Sequence, residues 1–324
     1  MGVFDKRINF KPFEYPELYD FVDAINHSYW IFTEYSYKSD VQDFKINLNE
    51  VEKNAVQNAM LAISQIEVNV KRWWSNLYGQ FPKPEFDALG STFGESEVRH
   101  SRAYSHLLEI LGLNDSFDKL VENPVIQGRI DYLSKYLKNA GSNNKELYTL
   151  SLALFSLFIE NCSLFSQFLI IKSFNKEKNC FKGIDNVISA TAKEENLHAM
   201  AGAYIIKLIK KENSDWFNEE FYHTLELACK KAYSAEEKII DWIFEKGELS
   251  FMSKQVILEF LKDRFNKSME MIEAKKVFEV NKDILKHTEW FDVEINSESH
   301  VDFFSQTPTN YTKKKQSITA EDLF

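Results

Sequence analysis

Glutamates interrupt the apolar faces of several helical segments in this chain, where leucine or isoleucine would be expected. The clearest case is Glu160, which is the only charged residue between Glu146 and Lys172. A buried carboxylate without a partner costs several kcal/mol or stays protonated. Any fold that buries Glu160 must therefore bring a partner for its carboxylate into the core.

Long helices are the predicted framework around these acids. Apolar residues recur with helical spacing, whereas strand-like alternation is weak throughout. The 324 residues include only 10 glycines and 6 prolines, so few positions favour tight turns. No linker-like segment divides the chain before residue 295. We expect an all-α fold with one domain, residues 1–295, and helices near 49–79, 84–112, 146–175, 183–211 and 214–246.

Four of these segments direct an acid towards the interior. Two of them contain Glu-x-x-His, in which the glutamate and the histidine share one helix face. The six candidate residues are Glu67, Glu97, His100, Glu160, Glu195 and His198.

Two helices with one glutamate each and two with Glu-x-x-His are the ligand inventory of a ferritin-like dinuclear carboxylate site. Oxygen-rich sites with two histidines suit Fe or Mn, so we expect two such ions per chain. The alternative is a non-catalytic helical protein whose acids form ion pairs in the core. That alternative has to neutralise four glutamates with two histidines, and Lys71 is the only other inward-leaning cation that the pattern indicates.

A third Glu-x-x-His, at Glu220 and His223, shows that the motif alone is not specific. It follows Asn213-Ser214-Asp215, which is typical of the acidic first turns of a helix. We expect these two side chains to be solvated, because acids are favoured near the positive end of a helix.

Charge and targeting signals narrow the function classes. The chain has 49 acidic and 39 basic residues and a net charge of −10, which argues against nucleic acid or an anionic membrane as partner. The amino terminus lacks the apolar core of a signal peptide, and the three cysteines show no paired spacing. We expect a cytoplasmic protein that binds neither membrane nor nucleic acid.

Tyr104 follows His100 by one helical turn, which would bring its phenol close to the metal pair. It is either a core tyrosine that hydrogen-bonds a ligand carboxylate or a group that the metals oxidise. The spacing alone leaves both interpretations open.

The stretch EVRHSRAYSH, from Glu97 to His106, closely resembles the signature of the small, radical-generating β subunit of class I ribonucleotide reductase. AKEENLH, residues 192–198, resembles its second ligand motif. Glu160 in its apolar helix, the spacings between the ligand helices, and Asp302-Phe-Phe-Ser followed by Tyr311 also match. The resemblance spans nearly the whole chain, from Trp30 to the tail.

This resemblance implies a ferritin-like helical homodimer, active as an oxidoreductase with its partner. Such a subunit generates and stores an oxidising equivalent at its dinuclear centre. It delivers this equivalent to the large (α) subunit, where ribonucleotides are reduced to deoxyribonucleotides. The alternative within enzymes is another di-metal oxidase on the same bundle, such as a ferroxidase, desaturase or ligand-binding oxidase.

The resemblance also implies roles for individual residues. The six candidates above would be metal ligands, and Tyr104 would be the radical-site tyrosine. Trp30 and Glu194, with His100, resemble the relay from the metals to the surface. Tyr311 resembles the tail tyrosine that bridges to the partner. Residues 296–324 would form a flexible tail that docks on the large subunit; the alternative is a frayed end without a function.

Four departures from the family pattern leave the site of the oxidant open. Glu67 and Glu194 stand where the family usually has aspartate, and Lys71 adds a cation that could hydrogen-bond near Tyr104. Thr191 is polar where an apolar residue is usual. The oxidant is therefore either a Tyr104 radical or the metal pair itself.

Overall fold

A computed structural model of the chain describes residues 2–68 and 71–297, and this part is helical almost throughout. The α-helices, together with a π-helical stretch that we call the π segment, have the following bounds in chain order: α1 Glu17–His27, α2 Lys38–Gln42, α3 Glu50–Ile66, α4 Lys71–Ser75, α5 Leu77–Gln80, α6 Pro84–Leu111, α7 Asn114–Asp118, α8 Pro124–Leu137, α9 Lys145–Leu154, the π segment Phe155–Ser163, α10 Phe165–Lys178, α11 Lys182–Glu212, α12 Glu219–Ile243, α13 Lys254–Met271, α14 Lys282–Leu285 and α15 Glu289–Ser297.

Local signals account for the ends of the long helices. Asn49 caps α3 through a capping box, in which its side chain accepts from the Glu52 amide while Glu52 accepts from the Asn49 amide. Helix α6 begins at Pro84 and ends before Gly112, which adopts a positive φ of 72°. The predicted limits of this helix are therefore confirmed to within one residue.

Five elements, α3, α6, α10, α11 and the π segment, form the bundle that carries the inward acids. Helix α3 packs against α6 and α10, and α11 packs against α6, α10 and the π segment. Helices α8, α12 and α13 cover the outer side of the π segment. The prediction of an all-α bundle is confirmed.

The predicted helix 49–79 is wrong in its extent. Helix α3 ends at Ile66, Glu67 is the residue that follows it, and the chain resumes in the short helices α4 and α5. Val68, the second residue after the helix, is β-branched and a weaker helix former than alanine or leucine. The apolar spacing continues through the break, so periodicity did not reveal it.

Two other predicted helices differ in detail. The segment 146–175 contains the π segment, and the helix predicted over 214–246 begins only at Glu219, where Asn218 caps it by accepting from the Phe221 amide. The stretch Lys145–Lys178 is long and apolar enough to cross a membrane, but its most apolar window is entirely buried within the protein, as in the core helix of a soluble protein.

The carboxyl-terminal helix α15 is attached to the bundle by Lys172. The buried ammonium of this lysine lies 2.7 Å from Glu294 Oε1 and 3.0 Å from Asp185 Oδ1. The predicted tail falls mostly on residues 298–324, outside the described part of the chain.

Candidate metal centre

The structure brings the six candidate ligands together in two overlapping groups, each with ligand atoms within 4.8 Å of one another. Every one of these side chains is buried. One group consists of Glu97, Glu160, Glu195 and His198, and the other of Glu67, His100 and Glu195.

Glu195 belongs to both groups. Its Oε1 lies 3.1 Å from Nδ1 of His100, and its Oε2 lies 3.3 Å from Nδ1 of His198. A carboxylate with one oxygen towards each histidine is in the position of a bridging ligand. The arrangement therefore suits two ions side by side rather than one.

Ser96 fixes the tautomer of His198. The Ser96 hydroxyl donates to the Phe93 carbonyl, so its oxygen is left to accept from His198 Nε2, 3.0 Å away. The Nε2 atom then carries the proton, and the lone pair of Nδ1 faces Glu97 at 3.0 Å and Glu160 at 3.2 Å. An imidazole fixed in this way is ready to bind a metal through Nδ1.

Glu194 performs the same task for His100. Its Oε2 lies 2.6 Å from His100 Nε2, and a carboxylate can only accept, so Nε2 again carries the proton. Nδ1 of His100 faces the centre. A carboxylate behind a ligand histidine is a common device for orienting a metal-binding imidazole.

The donor set fits a pair of cations. Both oxygens of Glu67, Glu97 and Glu195, and Nδ1 of His100, are buried without a hydrogen-bond partner among the described residues. Such groups are costly unless something binds them. Four carboxylates match the charge of two divalent ions when the histidines are neutral, and carboxylates with imidazoles suit Mn or Fe.

Without metal, the protons redistribute within the cluster. Burial raises the pKa of Glu67 well above its ordinary value, and the nearby charges of Glu97 and Glu195 add to the effect. Burial likewise raises the pKa of Glu160. Burial alone would lower the pKa of both histidines, but hydrogen bonds to surrounding carboxylates outweigh it and raise both.

Tyr104 lies on the inward face of α6, and its side chain is 1% exposed. Its hydroxyl and that of Thr191 both lack a hydrogen-bond partner in the described ranges, 2–68 and 71–297. Burial raises the Tyr104 pKa well above its ordinary value, and the charge of Glu67 raises it further. The phenol is therefore held protonated beside the carboxylate cluster.

Trp30 lies on the outer side of His100, with their rings stacked at 6.0 Å between centroids. Its indole nitrogen is buried and finds no hydrogen-bond partner in the described part of the chain. Arg99 lies between Trp30 and Glu194: it donates from both terminal nitrogens to Glu194, at 3.0 and 3.3 Å, and from one of them to the Trp30 carbonyl at 3.3 Å.

Sequence reasoning missed three residues at the site. Ser96 gave no signal. The one signal for Trp74 is its position seven residues after Glu67, on the same inward face of the predicted helix, and its indole donates to Glu160. Arg99, 6% exposed, corrects the expectation that Lys71 is the only inward-leaning cation. Arg99 follows Glu95 by four residues, a spacing typical of a surface ion pair, and the two side chains do pair, with Nε 2.8 Å from Oε2. This spacing concealed the contact of Arg99 with the buried site.

Other candidate positions lie away from the centre or outside the residues that the structure describes. Glu220 and His223 are exposed, as predicted. Tyr311 lies outside the described residues, and so does the side chain of Lys71. The expectations for these two positions stay predictions.

The family comparison agrees with this geometry. The sequence model of the family described as ribonucleotide reductase, small chain, matches residues 7–284. The chain belongs to this family. As a small chain of ribonucleotide reductase it is part of an oxidoreductase that works with a large subunit.

Known relatives extend the agreement over the length of the small chain. The probable ribonucleoside-diphosphate reductase small subunit 048L of Invertebrate iridescent virus 3 is 25% identical over 322 residues, which cover 95% of this chain and 85% of the viral protein. The sequence alternative of a different di-metal oxidase is not favoured by the family match.

Solved structures share the fold. A putative class I ribonucleotide reductase from Bacillus halodurans superimposes with a TM-score of 0.78 at 16% identity, covering 86% of this chain and 99% of that one. An R2-like ligand-binding oxidase with a reconstituted Mn/Fe cofactor gives a TM-score of 0.69 at 17% identity, covering 81% of this chain and 94% of that one. At these identities the likeness shows the fold alone.

Proposed function

We propose that the six clustered side chains bind two Mn or Fe ions and that this centre generates the oxidising equivalent of the ribonucleotide reductase small subunit. The single observation that carries the proposal is the shared position of Glu195, which has one oxygen near the Nδ1 atom of each histidine. Bound there, the metal pair would supply redox chemistry with an external oxidant. The metal ligands would be Glu67, Glu97, His100, Glu160, Glu195 and His198.

The protein's own side chains orient the two ligand histidines and keep water away from the centre. Ser96 and Glu194 hold the two imidazoles with Nδ1 towards the centre. The aromatic and aliphatic walls of the bundle exclude water, because Trp74 and Phe93 are fully buried against His198. A dry, pre-oriented site protects an oxidising centre from side reactions.

Tyr104 is our candidate for the residue that stores the equivalent, because its buried hydroxyl lies beside the cluster without a hydrogen-bond partner among the residues described. The alternative is that the oxidising equivalent stays on the metal pair. Trp30 and Glu194, with His100, form our candidate relay to the surface. The stacking of Trp30 on His100 supports this assignment.

We further propose a cytoplasmic homodimer whose tail, residues 296–324, docks on the large subunit. Tyr311 would continue the relay into the partner, and the apolar end, Leu323-Phe324, would insert into it. The support for these roles is the sequence resemblance, because residues 298–324 lie outside the described part of the chain. Removing residues 305–324 should abolish binding to the large subunit while leaving the metal content unchanged.

Metal content per chain, measured by mass spectrometry on protein purified without added metal or chelator, is the direct test. We expect about two ions per chain, as dinuclear sites of this type hold. Glu160→Ala should empty or distort the centre, whereas the matched control Glu220→Ala, in the exposed third motif, should leave the content unchanged. A native chain that binds no iron or manganese even after reloading would overturn the proposal.

A further inference from the structure

An arginine occupies the space between the two outer members of the candidate relay. Arg99 donates to Glu194 Oε1 at 3.0 Å and to Oε2 at 3.3 Å, and the nitrogen at 3.3 Å also donates to the Trp30 carbonyl. The planar guanidinium suits such a two-point contact with a carboxylate. Glu194 is thereby connected to the backbone of Trp30 and not to its indole.

The indole N–H of Trp30 is buried, and no acceptor for it exists within the described ranges. Its ring lies 6.0 Å from that of His100 and 5.7 Å from the Arg99 guanidinium. Three donor contacts, two from Arg99 and one from His100, already converge on Glu194. A buried donor that stays unpaired is unusual, and Arg99 supplies two of the three donor contacts that occupy the Glu194 carboxylate.

We propose that Arg99 is a positioning residue that keeps the indole N–H of Trp30 apart from the Glu194 carboxylate, so that the relay is interrupted until the Arg99 side chain withdraws. The proposal rests on the function proposed above. It adds a residue that the resemblance does not assign and a condition on when the relay can operate.

The charges explain why withdrawal of Arg99 would matter. If Trp30 gave one electron to the oxidising equivalent proposed above, its ring would become a cation that faces a guanidinium cation, which like-charge repulsion disfavours. If Arg99 has moved, the indole proton can pass to Glu194, and a neutral tryptophan radical remains. The same movement removes the repelling charge and frees the acceptor.

The outer contacts of Arg99 make such a movement accessible from the surface. Its Nε donates to Glu95 at 2.8 Å, a side chain that is 49% exposed. Its guanidinium also lies 4.6 Å from the ring centroid of Tyr29, which is 54% exposed. A protein surface that binds Glu95 and Tyr29 would compete directly for the groups that hold Arg99 in place.

The test follows the six indole N–H groups in proton–nitrogen correlation spectra of the full chain, both metal-free and loaded with diamagnetic zinc. The chain supplies its own references: the indoles of Trp74 and Trp290 donate hydrogen bonds, and that of Trp73 has no partner among the described residues. Trp30→Phe assigns the Trp30 signal. In the native chain we expect this signal near that of Trp73.

Arg99→Leu should move the Trp30 signal downfield towards those of Trp74 and Trp290. The matched control is Arg102→Leu. Arg102 lies on the same helix as Arg99, but its guanidinium lies over the Phe32 ring, 5.6 Å from the ring centroid. Its removal should leave the Trp30 signal in place. Glu95→Ala, which removes only the outer acceptor of Arg99, should move the signal in the same direction, and it serves as the test if Arg99→Leu does not fold.

A native Trp30 signal at the hydrogen-bonded position would overturn the proposal. So would an unchanged signal in the folded Arg99→Leu and Glu95→Ala variants. Zinc content, measured on the same samples, reports separately on the function proposed above. A native chain that binds no zinc, iron or manganese would refute the metal centre, while the metal-free spectra would still decide the role of Arg99.

Discussion

The indole N–H of Trp74 donates a hydrogen bond to Glu160, with Nε1 3.2 Å from Oε1. The other oxygen of this carboxylate, Oε2, lies 3.2 Å from Nδ1 of His198. Trp74 therefore determines which oxygen of Glu160 faces the shared space of the centre. This contact links α4, which follows the break after α3, to the π segment.

Trp74→Phe should weaken metal binding without unfolding the chain. The change keeps the aromatic bulk and removes one hydrogen bond behind a ligand, and losses of this kind typically reduce metal affinity about 10–100-fold. Competition with a chelator measures the effect. Trp73→Phe is the matched control, because the adjacent indole has no hydrogen-bond partner in the described part of the chain; an equal loss in both variants would contradict the role of Trp74.

The inward faces could be predicted from sequence because they depend on local geometry. Residues spaced by three and four on a regular helix share a face whatever surrounds them. For that reason Glu97 with His100, and Glu195 with His198, reach the interior as the pattern indicated. The break after Ile66 did not move Glu67 out of the core, since it follows immediately on the last helical turn.

The contacts between elements could not be predicted in the same way. Trp74 meets Glu160, and Ser96 meets His198, across 86 and 102 residues of chain. Nothing in either local sequence specifies such a pair. The π segment escaped detection for a different reason: it is buried on every side, and a helix without a solvent-exposed face carries no periodic signal of its register.

The stability of the metal-free chain should fall as the pH rises from about 5 to about 8. The pKa values of Glu67, Glu160, His100 and His198 are all raised in the folded state. In this window the folded chain binds more protons than the unfolded chain, so each group's contribution is present below its unfolded pKa and is lost as the pH passes its folded pKa.

Chemical denaturation across this pH range, with a chelator present, measures the slope. Reloading with manganese should flatten or reverse it, because the metal replaces the protons and its affinity increases as the ligands deprotonate. The pKa of Glu195 is lowered instead, so its contribution is lost only in strong acid, outside this range. A metal-free chain whose stability increases with pH would be inconsistent with protonated inward carboxylates.

Gly202→Ala should damage the contact between α11 and the π segment. A Cβ atom at Gly202 would overlap the side chain of Ser156, one turn before Glu160. Overpacking of this kind usually costs about 1–3 kcal/mol, and here the displaced segment carries a ligand, so metal content should fall as well. Denaturant midpoints measure the loss of stability, and mass spectrometry measures the metal content.

The control for this change is Gly128→Ala in α8. A Cβ at Gly128 meets nothing within 4 Å, and alanine is favoured over glycine inside a helix by roughly 0.5–1 kcal/mol. We expect unchanged metal content and equal or greater stability. If both alanine variants behaved alike, the close approach of α11 to the π segment would not be what constrains Glu160.

Tyr104→Phe decides where the oxidant resides. The phenol is buried beside the cluster and its hydroxyl is unpaired within the described residues, so the variant should fold and keep both metal ions. We expect it to lose any long-lived tyrosyl radical in electron paramagnetic resonance, and its activity with the large subunit to fall to background. Tyr148→Phe is the control, since that tyrosine is 2% exposed, its pKa is also raised by burial, and it stacks on Trp73 instead. Full activity in Tyr104→Phe would place the oxidising equivalent on the metal pair. The relay would then run from the metal pair to Trp30 through His100, without Tyr104.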